Sequence, residues 1–234
     1  QRIEYCFPKA MIEVRFLLDA PFFIFFMQDI IIIGGSFSGL LSALEIAQNN
    51  QNLQITIIEK KDIIKRKKPR DGRAFAISKK SLEIFKKIGI WDGLVQFAGD
   101  IKEIIITENG SKSCLNFKNQ ILEEELGFVI ENYHIHRALC DKLLQQKNVQ
   151  ILSPETYQDI SFDENFCFVK LGSGNILQCK LLIAADGKNS YIRNKFNIKT
   201  FIKSYGQTAI LLNINHQIEH HNIAYEHFSS EGPL

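Results

Sequence analysis

The chain has 234 residues, 45% hydrophobic and 23% charged, which is average usage for a globular protein and excludes disordered, collagen-like and coiled-coil classes. That length predicts one full domain plus part of a second, burying about 70% of the unfolded surface. With 28 basic and 26 acidic residues the net charge is only +2, so bulk electrostatics offers nothing to nucleic acid, and any basic partner site must be local.

Residues 16–35 are apolar enough to raise the question of a membrane span or a leader. Asp19, Pro21, Gln28 and Asp29 interrupt the run, and one mid-span Asp costs about 2.5–3.5 kcal/mol to insert. A secretory leader also wants a basic start and a small-residue cleavage site, whereas this run passes straight into Ile30, Ile31, Ile32 and Ile33. Residues 29–33 therefore read as a parallel strand covered on both faces, closed by Gly34 and Gly35. A helix follows over 38–48, with Leu40, Leu41, Leu44, Ile46 and Ala47 at helical spacing and Asn49, Asn50 and Asn52 as the stop. Residues 54–58 form a second apolar strand closing on Glu59, completing a βαβ unit.

A basic loop spans 60–73. An amphipathic helix over 78–87 then turns Leu82, Ile84, Phe85 and Ile88 inward and ends at Gly89. Strand-like runs follow at 101–107, 114–117 and 128–130, then a helix over 135–146 and a third parallel strand over 149–152. Short apolar runs at 160–162, 166–171 and 176–179, set around Gly172, Gly174 and Asn175, predict an antiparallel meander. Residues 181–185 return to a fully apolar strand that ends in Asp186 and Gly187. Two strand ends thus point at one crevice, where open parallel sheets bind ligands.

Gly34, Ser36 and Gly39 occupy the three positions of a GxGxxG turn, and Glu59 stands about 20 residues further on, at the end of the second strand. Such a turn offers backbone N–H groups and a helix N-terminus to a pyrophosphate, while the carboxylate accepts bonds from a ribose diol. Ser36 departs from the pattern: its Cβ must fit against the diphosphate, and its hydroxyl either crowds that group or donates to it.

Other candidate clusters read as structural. Cys6, Cys114, Cys140, Cys167 and Cys179 are odd in number and lack metal spacing, which predicts buried free thiols in a reducing compartment. His216, His220, His221 and His227, and the pair His134 and His136, lack a metal signature such as HExxH and read as exposed histidines, with no metal expected. Lys65, Arg66, Lys67 and Lys68 read as a solvated loop.

Four further segments carry a resemblance. Asp71-Gly-Arg-Ala-Phe-Ala-Ile-Ser78, followed by Ser81 and Gly89-Ile-Trp-Asp-Gly-Leu94, is similar to a DxRxxALS segment and its helix. Tyr133-His-Ile-His-Arg137, leading to Leu139 and Leu143, is similar to an arginine-bearing helix start. Leu182-Ile-Ala-Ala-Asp-Gly-Lys-Asn-Ser190 with Arg193 is similar to a DG motif. The last runs from Tyr205-Gly-Gln-Thr-Ala-Ile210 through Ala224-Tyr-Glu-His-Phe228 to Gly232-Pro-Leu234. Over residues 28–234 the chain resembles the flavin-dependent aromatic hydroxylases, or class A flavoprotein monooxygenases, especially the branch acting in ubiquinone biosynthesis.

The resemblance implies an α/β fold: a Rossmann-like FAD-binding domain over 27–202 with a parallel sheet and an inserted antiparallel meander. The first strands of a truncated substrate-domain sheet follow over 203–234, and 1–26 is an extension outside the fold. It implies FAD held by Gly34, Ser36, Phe37, Ser38, Gly39, Glu59 and Lys60, with Arg73 and Arg137 near the pyrophosphate and ribityl chain and Asp186 and Gly187 at the cofactor. NAD(P)H is the implied co-substrate, and O2 and a polyprenylated phenol are the implied reactants. No side chain stands out as a catalytic acid or base, because the cofactor carries the hard chemistry. A lipid-tailed substrate implies a cytoplasmic protein peripheral to the inner face of the membrane, with other ubiquinone-biosynthesis proteins as partners. The family's second FAD-contacting GD motif is not in the sequence, so a fragment is expected. Two alternatives stay open: a related hydroxylase acting on a soluble aromatic, and a non-catalytic FAD-binding fragment.

Overall fold

The computed structural model describes residues 26–65, 67, 72–111, 113–118 and 125–234, with only the backbone of Phe26 described. The extension expected over residues 1–26 lies outside these residues except for Phe26, as do Arg66, Lys68 and Asp71.

The apolar run becomes β1 (Phe26–Ile33), and helix α1 (Phe37–Asn49) leads to β2 (Ile55–Ile58). With β8 (Val149–Leu152) and the long strand β11 (Ile176–Ala184), these form a parallel core in the order β8-β2-β1-β11. Antiparallel β10 (Cys167–Leu171) and β9 (Tyr157–Phe162) extend it to six strands. The expected meander is therefore present, continuous with the parallel sheet.

Side chains along β1 alternate between two cores. Ile30 and Ile32 pack with Leu40, Ala43, Leu44 and Ala47 of α1 and with Ile135, Leu139 and Leu143 of α4 (Asn132–Leu143). Ile31 and Ile33 pack on the other face with Ile160, Val169 and Leu177 of the meander and Ile192 of α5 (Tyr191–Lys195). A strand buried on both faces has no need of polar alternation, which is why its sequence is unbroken isoleucine. Each fully buried Leu or Ile contributes about 1.5–3 kcal/mol relative to an exposed one.

Two smaller sheets complete the chain. Strand β3 (Ala74–Ser78), β7 (Gly127–Glu131) and β4 (Ala98–Ile101) form one, with α2 (Lys79–Lys87) and α3 (Trp91–Leu94) between β3 and β4. The other runs β13 (Gly232–Pro233), β12 (Ile223–Ser229), β5 (Glu103–Glu108), β6 (Cys114–Lys118), with β12 parallel to β5. A division of the chain at residue 203 passes through this second sheet, because β12 pairs with a strand from 103–108. Residues 197–222 have almost no regular hydrogen-bonded structure and leave Phe201, Ile202, Leu211, Leu212 and Ile218 exposed.

Several sequence expectations need correction. The run at 101–107 is two strands in different sheets: the Leu126 amide bonds the Ile101 carbonyl, while the Lys102 amide bonds Asn222. Residues 176–179 and 181–185 belong to one strand through Ala184, because Lys180 points outward and donates to Asp29 Oδ1 at 2.8 Å rather than breaking the run. The helix expected over 135–146 begins three residues earlier, directly off β7. Strand β3 fills residues 74–78, between the expected basic loop and the expected helix, where no element was predicted. Cys114 is exposed, unlike the buried Cys140, Cys167 and Cys179.

Candidate functional site

The C-terminal ends of three parallel strands come level, with Ile33 opposite both Ile58 and Ala184. The ladder runs one step further: Gly34 N–H donates to Ile58 O at 2.9 Å and Ala185 N–H to Ile33 O at 2.8 Å. At that point the chain must leave the sheet and enter α1 without lifting the helix off it. Gly34 does so at φ +112°, and a Cβ there would lie 2.2 Å from the Ala185 carbonyl oxygen. Gly39, in the first turn of α1, packs so closely that a Cβ would lie 1.9 Å from Gly34 O. Backbone thus meets backbone twice, and neither contact leaves room for a side chain.

The middle position is different. Ser36 caps α1 at φ −92° and ψ −175°, ordinary extended backbone, so its Cβ brings no strain. Its hydroxyl makes no cap bond, and the residue is exposed. The first turn of α1 contains no acidic side chain, so the positive end of the helix dipole is not neutralised from within. Ser38 is exposed on the same turn, and the Phe37 ring meets Phe75 edge-on at 5.5 Å.

Glu59 is half-buried and clamps the turn: Oε2 accepts the Gly35 N–H at 2.8 Å and Oε1 the Lys61 N–H at 2.9 Å. Carboxylate oxygens have about four lone-pair sites in all, so acceptor capacity remains for a ribose hydroxyl. Lys60 next to it is exposed.

On the β11 side, Asp186 Oδ2 accepts the Ile192 N–H at 3.3 Å, while Oδ1 is buried with no hydrogen-bond partner among the described residues. Ser190 Oγ accepts the Arg193 N–H, and the Arg193 guanidinium donates to Lys188 O, so residues 186–193 form a closed turn around that carboxylate. Burial pushes the Tyr157 phenol up to about 12, and the Asp186 charge beside it adds to the shift. A buried acceptor with spare capacity at a strand-end crevice is one that a bound hydroxyl can satisfy. Gly187 follows at φ +89° with open space around it.

The structure brings Gly34, Ser36, Phe37, Ser38, Gly39, Glu59, Asp186 and Gly187 to this junction. Arg73 sits at the start of β3, its carbonyl taking the Asn132 N–H at 2.7 Å. Arg137 is exposed on α4, and its guanidinium bonds Asp141 Oδ2 at 3.0 Å and Ile64 O at 2.8 Å, tying the helix to the loop after β2. It also lines a groove of about 460 Å³ with Phe97, Tyr133 and His134, beside α3.

One residue of the junction escaped the sequence. His136, expected to be exposed, is 4% exposed, with Nε2 2.9 Å from the Gly35 carbonyl oxygen. The only available signal was its place on the inward stripe of α4, between Ile135 and Leu139. His134 is stacked on Phe97 with ring centres 3.8 Å apart, on a different face. Among the described residues no three His, Cys, Asp or Glu side chains converge as a metal site.

Residues 27–230 match the family described as FAD binding domain. The chain is 28% identical over 228 residues to "Ubiquinone hydroxylase UbiM" of Neisseria meningitidis, covering 94% of this chain and 49% of that protein. It is 27% identical over 215 residues to "Ubiquinone hydroxylase UbiL" of Rhodospirillum rubrum, covering 89% and 48%. Among solved structures it matches PqsL, "a probable FAD-dependent monooxygenase from Pseudomonas aeruginosa", with a TM-score of 0.63 at 17% identity, over 77% of this chain and 48% of that one. The last likeness shows the fold. The chain spans about half the length of the curated relatives it matches. It belongs to the FAD-binding domain family.

Proposed function

We propose that this chain is the FAD-binding part of a monooxygenase that hydroxylates a phenolic ring in ubiquinone biosynthesis, with NAD(P)H as reductant and O2 as oxygen source. The single observation that carries the cofactor reading is the junction of strand ends. There, a glycine turn with no room for a Cβ at either end faces the Asp186 carboxylate, whose Oδ1 is buried and within the described residues has only the neighbouring Tyr157 hydroxyl to turn to. The chemistry class is supported by the likeness to ubiquinone hydroxylases.

FAD fits the residues present. The amides at the start of α1, with the Ser36 hydroxyl, would take the diphosphate, and Glu59 would take a ribose hydroxyl with its remaining lone pairs. Asp186 Oδ1 would accept from the cofactor's hydroxylated chain. Arg73 and Arg137 are proposed as neighbours of the diphosphate and ribityl chain, Arg137 by release from its partners Asp141 and Ile64. Bound there, FAD supplies hydride acceptance from NAD(P)H and O2 activation. This chain's residues supply binding and orientation, and no side chain is assigned as a catalytic acid or base. The substrate is proposed to carry a polyprenyl tail, which gives the protein reason to sit at a membrane surface. No helix among the described residues is long and apolar enough to cross a membrane.

The test is flavin absorbance of the purified chain after incubation with FAD and gel filtration, then NAD(P)H oxidation with prenylated and unprenylated phenols. Retained flavin near one equivalent is the expected result, and its absence would refute the cofactor reading for this chain. Faster turnover of an unprenylated aromatic would refute the lipid-tailed substrate.

A further inference from the structure

The turn between β1 and α1 is held by side chains from outside it, and the two holds are on consecutive peptides. The Gly35 N–H goes to Glu59 Oε2 at 2.8 Å, and the Gly35 carbonyl lies 2.9 Å from His136 Nε2. A carbonyl oxygen only accepts, so Nε2 carries the proton and donates. In neutral His136 the other nitrogen, Nδ1, is then an acceptor, and Cys140 Sγ one helical turn later lies 3.7 Å from it. The Phe37 ring meets the imidazole edge-on at 6.2 Å, so the side chain is braced from α1 and from within α4.

Because the Gly35–Ser36 peptide is trans, its carbonyl and its N–H point in opposite directions. Fixing the carbonyl inward on the buried imidazole therefore aims the Ser36 N–H outward, toward the exposed side of the turn. That amide lies in the loop before the helix, where the α1 hydrogen-bond ladder does not orient it. We infer that His136 is a positioning residue for the cofactor turn: its bond to Gly35 O presets the Ser36 amide as a donor to the FAD diphosphate. The inference rests on the FAD reading. Physically it is preorganisation, in which the ordering of the anion-binding amides is settled by folding rather than by the ligand.

The experiment compares His136→Gln, His136→Asn and Cys140→Ala in the whole chain. FAD dissociation constants are read by quenching of flavin fluorescence, alongside thermal midpoints. Glutamine reaches about as far as imidazole Nε2 and can still donate to Gly35 O, whereas asparagine stops near the Nδ1 position and cannot. Glutamine is expected to hold affinity within about threefold of wild type and asparagine to weaken it about tenfold, the scale of one lost hydrogen bond in a buried site. Cys140→Ala keeps the Nε2 bond and should leave affinity within about twofold, although it loosens α4 packing. If asparagine is not tolerated in the fold, His136→Met keeps the volume without a donor and should show the same loss. Equal affinity in the Gln and Asn variants, or a loss that follows the thermal midpoint through all the variants, would overturn the inference. Wild type that retains no FAD would instead overturn the cofactor reading on which it rests.

Discussion

Replacing Gly34 by alanine tests whether the two strand ends are built as one object. The added Cβ would lie 2.2 Å from Ala185 O and 2.6 Å from Ala185 C, both backbone atoms of the segment that carries Asp186. Relief needs a shift of the β1 or β11 end, since no flexible side chain stands in the way. At φ +112° a non-glycine residue adds about 1–2 kcal/mol of backbone strain. Overpacking against fixed atoms adds about 1–3 kcal/mol more, giving a loss of roughly 2–5 kcal/mol. For a chain of this size that is about 10 °C in thermal midpoint. Gly187→Ala is the control: φ +89° brings the strain, but nothing lies within 4 Å of its Cβ, so about 1–2 kcal/mol is expected. Urea unfolding followed by far-ultraviolet circular dichroism measures both. Equal losses in the two variants would refute the argument that backbone contact at Gly34, rather than its φ alone, makes glycine necessary.

Three further outcomes follow from particular groups. Ser36→Ala should weaken FAD about threefold to tenfold, one hydroxyl donor being lost; in a fluorescence titration, tighter binding would mean that the side chain had been crowding the phosphates. Tyr157, raised to about 12, should ionise last among the described tyrosines in an alkaline absorbance titration, and Asp186→Asn should bring it down. Because its folded value lies above the unfolded value of about 10, its contribution to stability is complete below pH ~10 and is lost as pH rises from there through about 12. Urea midpoints that do not fall over that range in wild type relative to Tyr157→Phe would contradict this. Iodoacetamide under native conditions should label Cys114 fastest among the described cysteines, with Cys140, Cys167 and Cys179 protected until unfolding. The hydrogen bond with Cys179, together with burial, holds the Cys167 thiol far above its usual range, so raising the pH to 9 should not speed its labelling. Peptide mapping reads each site.

The parallel core was legible because its signals are local and redundant. An unbroken isoleucine run, a glycine turn, an apolar helical stripe and a second strand occur within residues 29–59, and each constrains the next. The meander was legible from turn chemistry, since Gly172, Gly174 and Asn175 leave few other choices. What could not be read depends on pairing across distance. Nothing local divides 101–107 between two sheets; the division is made by Asn222 and Leu126, whose backbone bonds claim opposite ends of the run. Arg137 was legible as a residue of a helix start but not as one already paired, because Asp141 is a helix neighbour and Ile64 O comes from a loop 73 residues away.

His136 shows the limit most directly. In the sequence it is one of two histidines two residues apart near the start of a helix, and that spacing sends them to different faces. His134 goes to Phe97 and the groove beside α3, while His136 goes under the turn. A buried imidazole must satisfy its N–H, and within this core the acceptor it finds is the Gly35 carbonyl. A carbonyl in that place exists only because Gly34 has already turned the chain off the sheet at a φ that other residues avoid. The glycine fixes where the peptide lies, Glu59 and His136 fix which way it faces, and the Ser36 amide is aimed outward as a result. The glycine turn therefore names the residues that leave room for a diphosphate, while the side chains that aim its peptides, Glu59 just after β2 and His136 on α4, lie outside the turn.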